Sequence, residues 1–208
     1  MSQLISCRNG NGILLAADSR AVFFDPDGKM SYLEVNRMVQ LSRHSAVLTG
    51  GAAEGAEMCH ALKMFIQEEG VDNVQEVYGA ALPFLAGEYE KFMRKECEVM
   101  PLDPIHHVFF ILGGYDDSDQ QQPFRLYLLW TKKKLPQLDG DEITFSFTAP
   151  RIMGLEYKLN QLCKEDKPLD QILSEVKGGM KKMAETQEEV APPFSYAFIT
   201  EEGFRRVE

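Results

Sequence analysis

The chain has 208 residues, 44% hydrophobic and 26% charged, which suits one sizeable apolar core and sets aside disordered and fibrous classes. A formal net charge of −10 offers no basic field to neutralise phosphates, so neither nucleic acid nor an anionic membrane surface is an expected partner. Four scattered cysteines without a CxxC pair (Cys7, Cys59, Cys97, Cys163) read as reduced, mostly buried thiols. No apolar run approaches a membrane span and the start lacks the features of a signal peptide, so the cytoplasm is the expected compartment.

The first fifty residues read as strands and turns. QLISCR (3–8) and GILLAAD (12–18) flank NGNG, a strong hairpin signal. A second turn is expected at DPDG (25–28), which lacks the ligand spacing of a calcium loop. VNRMVQLS (35–42) and SAVLTG (45–50) form another short-looped pair. Met58, Ala61, Leu62, Phe65 and Ile66 then follow the spacing of one buried helical face, and a longer run from Val74 through Leu85 to Met93 does the same. Pro83 is expected to interrupt and kink that second helix.

The period returns to strands in HHVFFILGGY (106–115), FRLYLLW (124–130) and ITFSFTA (143–149). The cluster Lys132-Lys133-Lys134 reads as a loop tip or a guard on an edge strand, and Trp130 with its aromatic neighbours reads as core. Leu155, Leu159 and Leu162 mark a third helix. Leu169 to Met183 mark a fourth, with Pro168 at its start. FSYAFIT (194–200), a turn and FRRV close the chain. Strands, two helices, strands, two helices, strands: this order predicts an α+β fold, a four-layer αββα sandwich of two mainly antiparallel sheets. No linker breaks residues 1–208, so a single domain is expected.

Metal chemistry has little support. His106 and His107 are adjacent on a strand and point to opposite faces, and His44 and His60 have no spaced partners, so no metal and no cofactor is expected.

The opening carries the functional signal. ISCRNGNGILLAADSR, then VNRMVQL, then LTGGAAEG resemble, in order and spacing, the β-type subunits of the proteasome and their bacterial heat-shock relative, N-terminal-nucleophile hydrolases with an αββα fold. The motif match covers about the first 55 residues, and the element order matches over nearly the whole chain. The resemblance implies an amide or peptide-bond hydrolase whose first residue, once Met1 is removed, is the nucleophile. Ser2 takes that position, Asp18 lies sixteen positions on as the catalytic aspartate, Arg37 stands where the family has lysine, and Gly50 stands where the family has an oxyanion-hole amide.

An N-terminal residue supplies both an attacking hydroxyl and, in its α-amine, a base titrating near working pH. A neighbouring cation keeps that amine neutral, and a carboxylate holds the cation. Three departures stand out: serine replaces threonine; arginine cannot shuttle a proton; and the late D-x-x-S-G-G element has only Glu188 as a counterpart, followed by Ala191, Pro192 and Pro193. The resemblance also implies self-assembly into a homo-oligomeric ring and leaves any ATPase partner unassigned. The competing reading is a non-catalytic ring subunit or scaffold with a degenerate site, and a third is a small-molecule amidase on the same fold.

Overall fold

The computed structural model describes residues 2–24, 29–97, 107–131 and 137–208, and all but the side chains of residues 22–24 and 96–97 among them. The DPDG turn, Met1, His106 and the Lys132–Lys134 cluster lie outside the described residues, as does the side chain of Cys97.

The described residues form two five-stranded antiparallel sheets and a two-stranded ribbon. The first sheet begins with the expected hairpin, β1 (Leu4–Asn9) and β2 (Gly12–Ala17), paired Asn9 to Gly12 at the turn. Gly12 holds φ at +142°, a conformation open to glycine. After the ribbon of β3 (Arg20–Phe24) and β4 (Met30–Glu34), the second sheet starts with β5 (Met38–Gln40) and β6 (Ser45–Gly51). Helices α1 (Glu54–Glu69) and α2 (Val74–Cys97) intervene before β7 (Val108–Tyr115), β8 (Phe124–Trp130) and β9 (Asp139–Glu142) complete that sheet. Strand β10 (Ser146–Ala149), helices α3 (Met153–Lys164) and α4 (Leu169–Thr186), and strands β11 (Ser195–Thr200) and β12 (Gly203–Val207) finish the chain. The sheet orders are β10-β1-β2-β11-β12 and β5-β6-β7-β8-β9.

Three apolar layers hold these elements in a four-layer αββα sandwich. Leu62, Ile66, Val77, Leu85 and Tyr89 pack α1 and α2 on the outer face of the β5–β9 sheet. Leu4, Ile13, Leu15, Leu48, Ile111 and Leu126 fill the space between the sheets. Ile5, Leu14, Leu159, Ile172, Val176 and Phe198 pack α3 and α4 on the other outer face. The alternation of Leu4 inward and Ile5 outward is the period of a strand buried on both faces. Each of these side chains contributes about 1.5–3 kcal/mol by leaving water.

Two expectations are corrected here. Pro83 does not end α2, which runs continuously from Val74 to Cys97. ITFSFTA is not one strand either. Ile143 still donates its N–H to Leu126 of β8 at 2.8 Å, but Arg8 of β1 already donates to Phe145 at 2.7 Å, so the chain crosses between sheets within three residues. The Arg8 side chain marks the crossing: its Nε donates to the Thr144 carbonyl and its Nη1 to the Phe124 carbonyl, both at 2.7 Å, while Nη2 pairs with Glu142 at 3.0 Å. Among the described residues, no helix is long and apolar enough to cross a membrane.

Candidate active site

Ser2 sits just ahead of β1 and is 6% exposed. Its parity with Leu4 turns it toward the space between the sheets. There the Gly51 N–H, at the end of β6 in the opposite sheet, donates to Ser2 Oγ at 3.2 Å. Gln3 donates its N–H to Asp18 Oδ1 at 2.9 Å, and Asp18 returns its own N–H to the Gln3 carbonyl at 3.1 Å. The Asp18 carboxylate at the end of β2 is thereby fixed one residue from Ser2. Arg37 approaches from the segment before β5, with Nε 3.6 Å from Asp18 Oδ1 and Nη2 donating to the Arg20 carbonyl at 3.0 Å. Folding therefore brings Ser2, Asp18 and Arg37 together.

Both charged side chains are buried, Asp18 fully and Arg37 at 2% exposure. At 3.6 Å their attraction is about 4–5 kcal/mol at an effective dielectric of about 20. Burial outweighs it. The Asp18 carboxyl is pushed up to about 6 by loss of water, against the Gln3 amide, Arg37 and the Arg20 amide, which all pull it down. Burial likewise holds the Arg37 guanidinium below its ordinary range, although Asp18 favours its charge. Arg37 Nε and Nη1 and Asp18 Oδ2 are buried without a hydrogen-bond partner, so this pair is held by proximity more than by hydrogen bonds.

The amide that reaches Ser2 Oγ lies one residue beyond Gly50. Along β6 successive amides point to opposite sides. Thr49 N–H donates toward Arg37 at 3.0 Å, Ala52 N–H donates to His107 at 2.9 Å on the other side, and Gly51 shares the orientation of Thr49. The amide on Ser2 is thus that of Gly51, and Gly50 serves packing. A Cβ at Gly50 would lie 2.2 Å from the Phe109 ring, and one at Gly51, where φ is +91°, would lie 1.9 Å from the His107 carbonyl oxygen. The LTGG doublet signals that one glycine is needed; which amide faces Ser2 depends on the pairing of β6 with β5.

Glu188 is not brought to Ser2. It is exposed, its carboxyl lies beside the Tyr32 hydroxyl, and its carbonyl accepts a hydrogen bond from Arg20 Nη1. The segment after it buries Val190 against the α3–α4 face, and Ala191 is buried as well. Glu188 was the counterpart offered for the late aspartate, but the chain directs its side chain to the ribbon. Residues the sequence reading missed are Gln3 and Gly51, which act through backbone amides, and Arg20, whose carbonyl supports Arg37; backbone roles leave no side-chain signature. Met1, on which a free Ser2 amine depends, lies outside the described residues. Elsewhere, His44 pairs with Asp72 (Nδ1 to Oδ2, 2.5 Å), Cys7, Cys59 and Cys163 are buried and free, and among the described residues no group of three or more His, Cys, Asp and Glu side chains could hold a metal ion. Trp130 is 38% exposed and so is not core.

No protein-family model matches the chain, and no curated protein matches it. Solved structures do. A mutant Anbu protein from Hyphomicrobium sp. strain MC1 superposes with a TM-score of 0.71 at 14% identity, over 100% of this chain and 85% of that one. Anbu (ancestral beta-subunit) from Yersinia bercovieri gives a TM-score of 0.71 at 16% identity, over 99% and 86%. These neighbours correct the resemblance read from the opening motifs: they belong to a proteasome-like but distinct family, not to the proteasome β-type subunits or their heat-shock relative. The chain has the proteasome-type N-terminal-nucleophile fold.

Proposed function

We propose that this protein is an amide-bond hydrolase that uses Ser2 as an N-terminal nucleophile, its 208 residues forming a single domain of that type. The observation that carries this reading is the arrangement at Ser2: a hydroxyl already bonded to the Gly51 amide, with Asp18 one residue away and Arg37 behind it. With Met1 removed, Ser2 Oγ attacks the carbonyl carbon while its proton passes to the free α-amine. The Gly51 N–H is the donor available to the oxygen that gains charge. The C–N bond then breaks, the leaving amine takes the proton from the α-amine, and water hydrolyses the ester on Ser2. Asp18 and Arg37 act electrostatically, since arginine cannot shuttle the proton.

A second reading, a non-catalytic subunit, is favoured by one observation: where a supporting hydroxyl and amides would be needed, the segment after α4 carries buried Val190 and Ala191 and an outward Glu188. Intact mass and N-terminal sequencing, followed by labelling with a β-lactone, separate the two. The hydrolase predicts loss of methionine and a covalent adduct on Ser2 that disappears in Ser2→Ala. A retained methionine, or processed protein that takes no label, leaves the non-catalytic reading.

Self-assembly belongs to both readings. Met153 and Tyr157, one turn apart on α3, are 72% and 67% exposed, which supports a surface made for a second copy. Buried free thiols support residence in a reducing compartment such as the cytoplasm.

A further inference from the structure

We infer that the cleft at the open end of the inter-sheet layer receives one aromatic side chain of the substrate; this rests on the reading of Ser2 given above. Its walls are Phe109 and Leu128 from one sheet and Phe147 and Ala149 from the other, with Trp130 and His107 at its rim. The four wall residues all belong to the layer between the sheets, so the cleft continues the apolar core outward.

Three observations assign the occupant. The first is position. Val108, which also lines the cleft, pairs across the ladder with Gly51, whose amide holds Ser2 Oγ, and Ala149 pairs with Leu4, two residues after Ser2. Directly paired residues in an antiparallel ladder lie about 4.5–5.5 Å apart at Cα, so the cleft begins one strand spacing from Gly51, on the β7 side of β6. The second is size. The cleft holds about 160 Å³, and an engineered apolar cavity of about 150 Å³ accepts a benzene ring. The third is chemistry. Among the described residues the lining is apolar apart from His107 and Thr131, with the Arg151 guanidinium 5.2 Å over the Phe147 ring, so an uncharged ring loses little by leaving water there. The aromatic walls offer edge and face contacts to a ring. Trp130 is held at the rim because its Nε1–H donates to Asp141 Oδ2 at 2.7 Å, which explains an indole left 38% exposed.

Trp130 is the one tryptophan of the chain, so its fluorescence reports occupancy directly. The full chain carrying Ser2→Ala, which cannot turn over, is titrated with N-acetylphenylalaninamide, N-acetylalaninamide and the α-amide of N-acetylglutamate, with saturation-transfer NMR as a second readout. The phenylalanine compound is expected to give a saturable change, with the alanine compound about 10- to 100-fold weaker and the glutamate compound silent. Ala149→Leu, which fills the cleft, should abolish the response; if that variant does not fold, the three-compound comparison decides alone. Equal affinity for all three, no response to the phenylalanine compound, or an unchanged response in folded Ala149→Leu overturns the inference. The outcome is independent of β-lactone labelling in the wild type. Label on Ser2 without aromatic preference keeps the hydrolase and removes the pocket. Aromatic binding without label keeps the pocket and removes the hydrolase.

Discussion

Asp18 should make the protein less stable as pH rises from acid to neutral. Its carboxyl titrates at about 6 in the fold and at the ordinary value of 3.8 when unfolded. Between those pH values the folded state holds a proton that the unfolded state has lost, so stability falls with rising pH. Below 3.8 both states are neutral and above 6 both are ionised, which confines the change to that window. At about 1.4 kcal/mol per pH unit, the gap amounts to about 3 kcal/mol. The side chain is fully buried, so solvent screening does not reduce it. Asp18→Asn mimics the neutral acid and removes the titration. Urea unfolding of both proteins, followed by far-UV circular dichroism from pH 4 to 8 at one protein concentration, measures the difference. Near pH 4 the two should be about equally stable; near pH 7 the variant should be more stable by about 3 kcal/mol. A variant that is less stable by the same amount at every pH would refute the reasoning, since it would mean that the Arg37 attraction offsets burial and Asp18 titrates normally.

Gly51→Ala should cost more than Gly50→Ala. At Gly51 a positive φ and a backbone oxygen 1.9 Å from the new Cβ combine, for a loss of about 2 kcal/mol or more, whereas at Gly50 the obstacle is the Phe109 ring; thermal melts compare them. Glu156→Ala should lower stability by about 3 kcal/mol, because the buried carboxylate accepts from Thr148 N–H (2.9 Å), Thr148 Oγ1 (2.8 Å) and Arg151 Nε (2.6 Å), and an equal midpoint in urea would count against that role. Those partners, led by Arg151, outweigh burial and hold Glu156 below its ordinary range, so its contribution is present at neutral pH and fades as pH falls through the folded value; the Glu156→Ala deficit should shrink in acid. Leu62→Ala, in the fully buried face of α1, should cost about 2–5 kcal/mol by denaturant titration, while His60→Ala on the exposed face of the same helix should change little.

The helices and most strands were legible because their signal is local. Buried Met58, Leu62 and Ile66 recur at the helical period, and Leu4 and Ile5 alternate across β1 toward two different apolar layers. Of the candidate site, the side chains singled out by spacing, Ser2, Asp18 and Arg37, lie close together in the fold. It was not legible where the backbone does the work. Gly50 and Gly51 are the same letter, and only the pairing of β6 decides which amide faces Ser2. Glu188 was offered as the late aspartate's counterpart but turns to Tyr32 through the path of the segment after α4. Trp130 read as core by its hydrophobicity, yet it sits at a strand end where the sheet stops, and its indole N–H needs the polar partner that Asp141 provides.

Composition and periodicity by themselves determined the layers of this protein: which faces are apolar, which segments are helical, and that two sheets must be covered from both sides. Those are properties of nearest neighbours along the chain and of the free energy of removing apolar surface from water. The tertiary structure alone decided the site. It placed Ser2 against an amide 49 residues away, split ITFSFTA between two sheets, and buried Asp18 beside Arg37 so deeply that desolvation outweighs their attraction. Electrostatics and hydrogen-bond direction depend on distance in space and on solvent exclusion, and the order of residues in the chain specifies these only after it has folded.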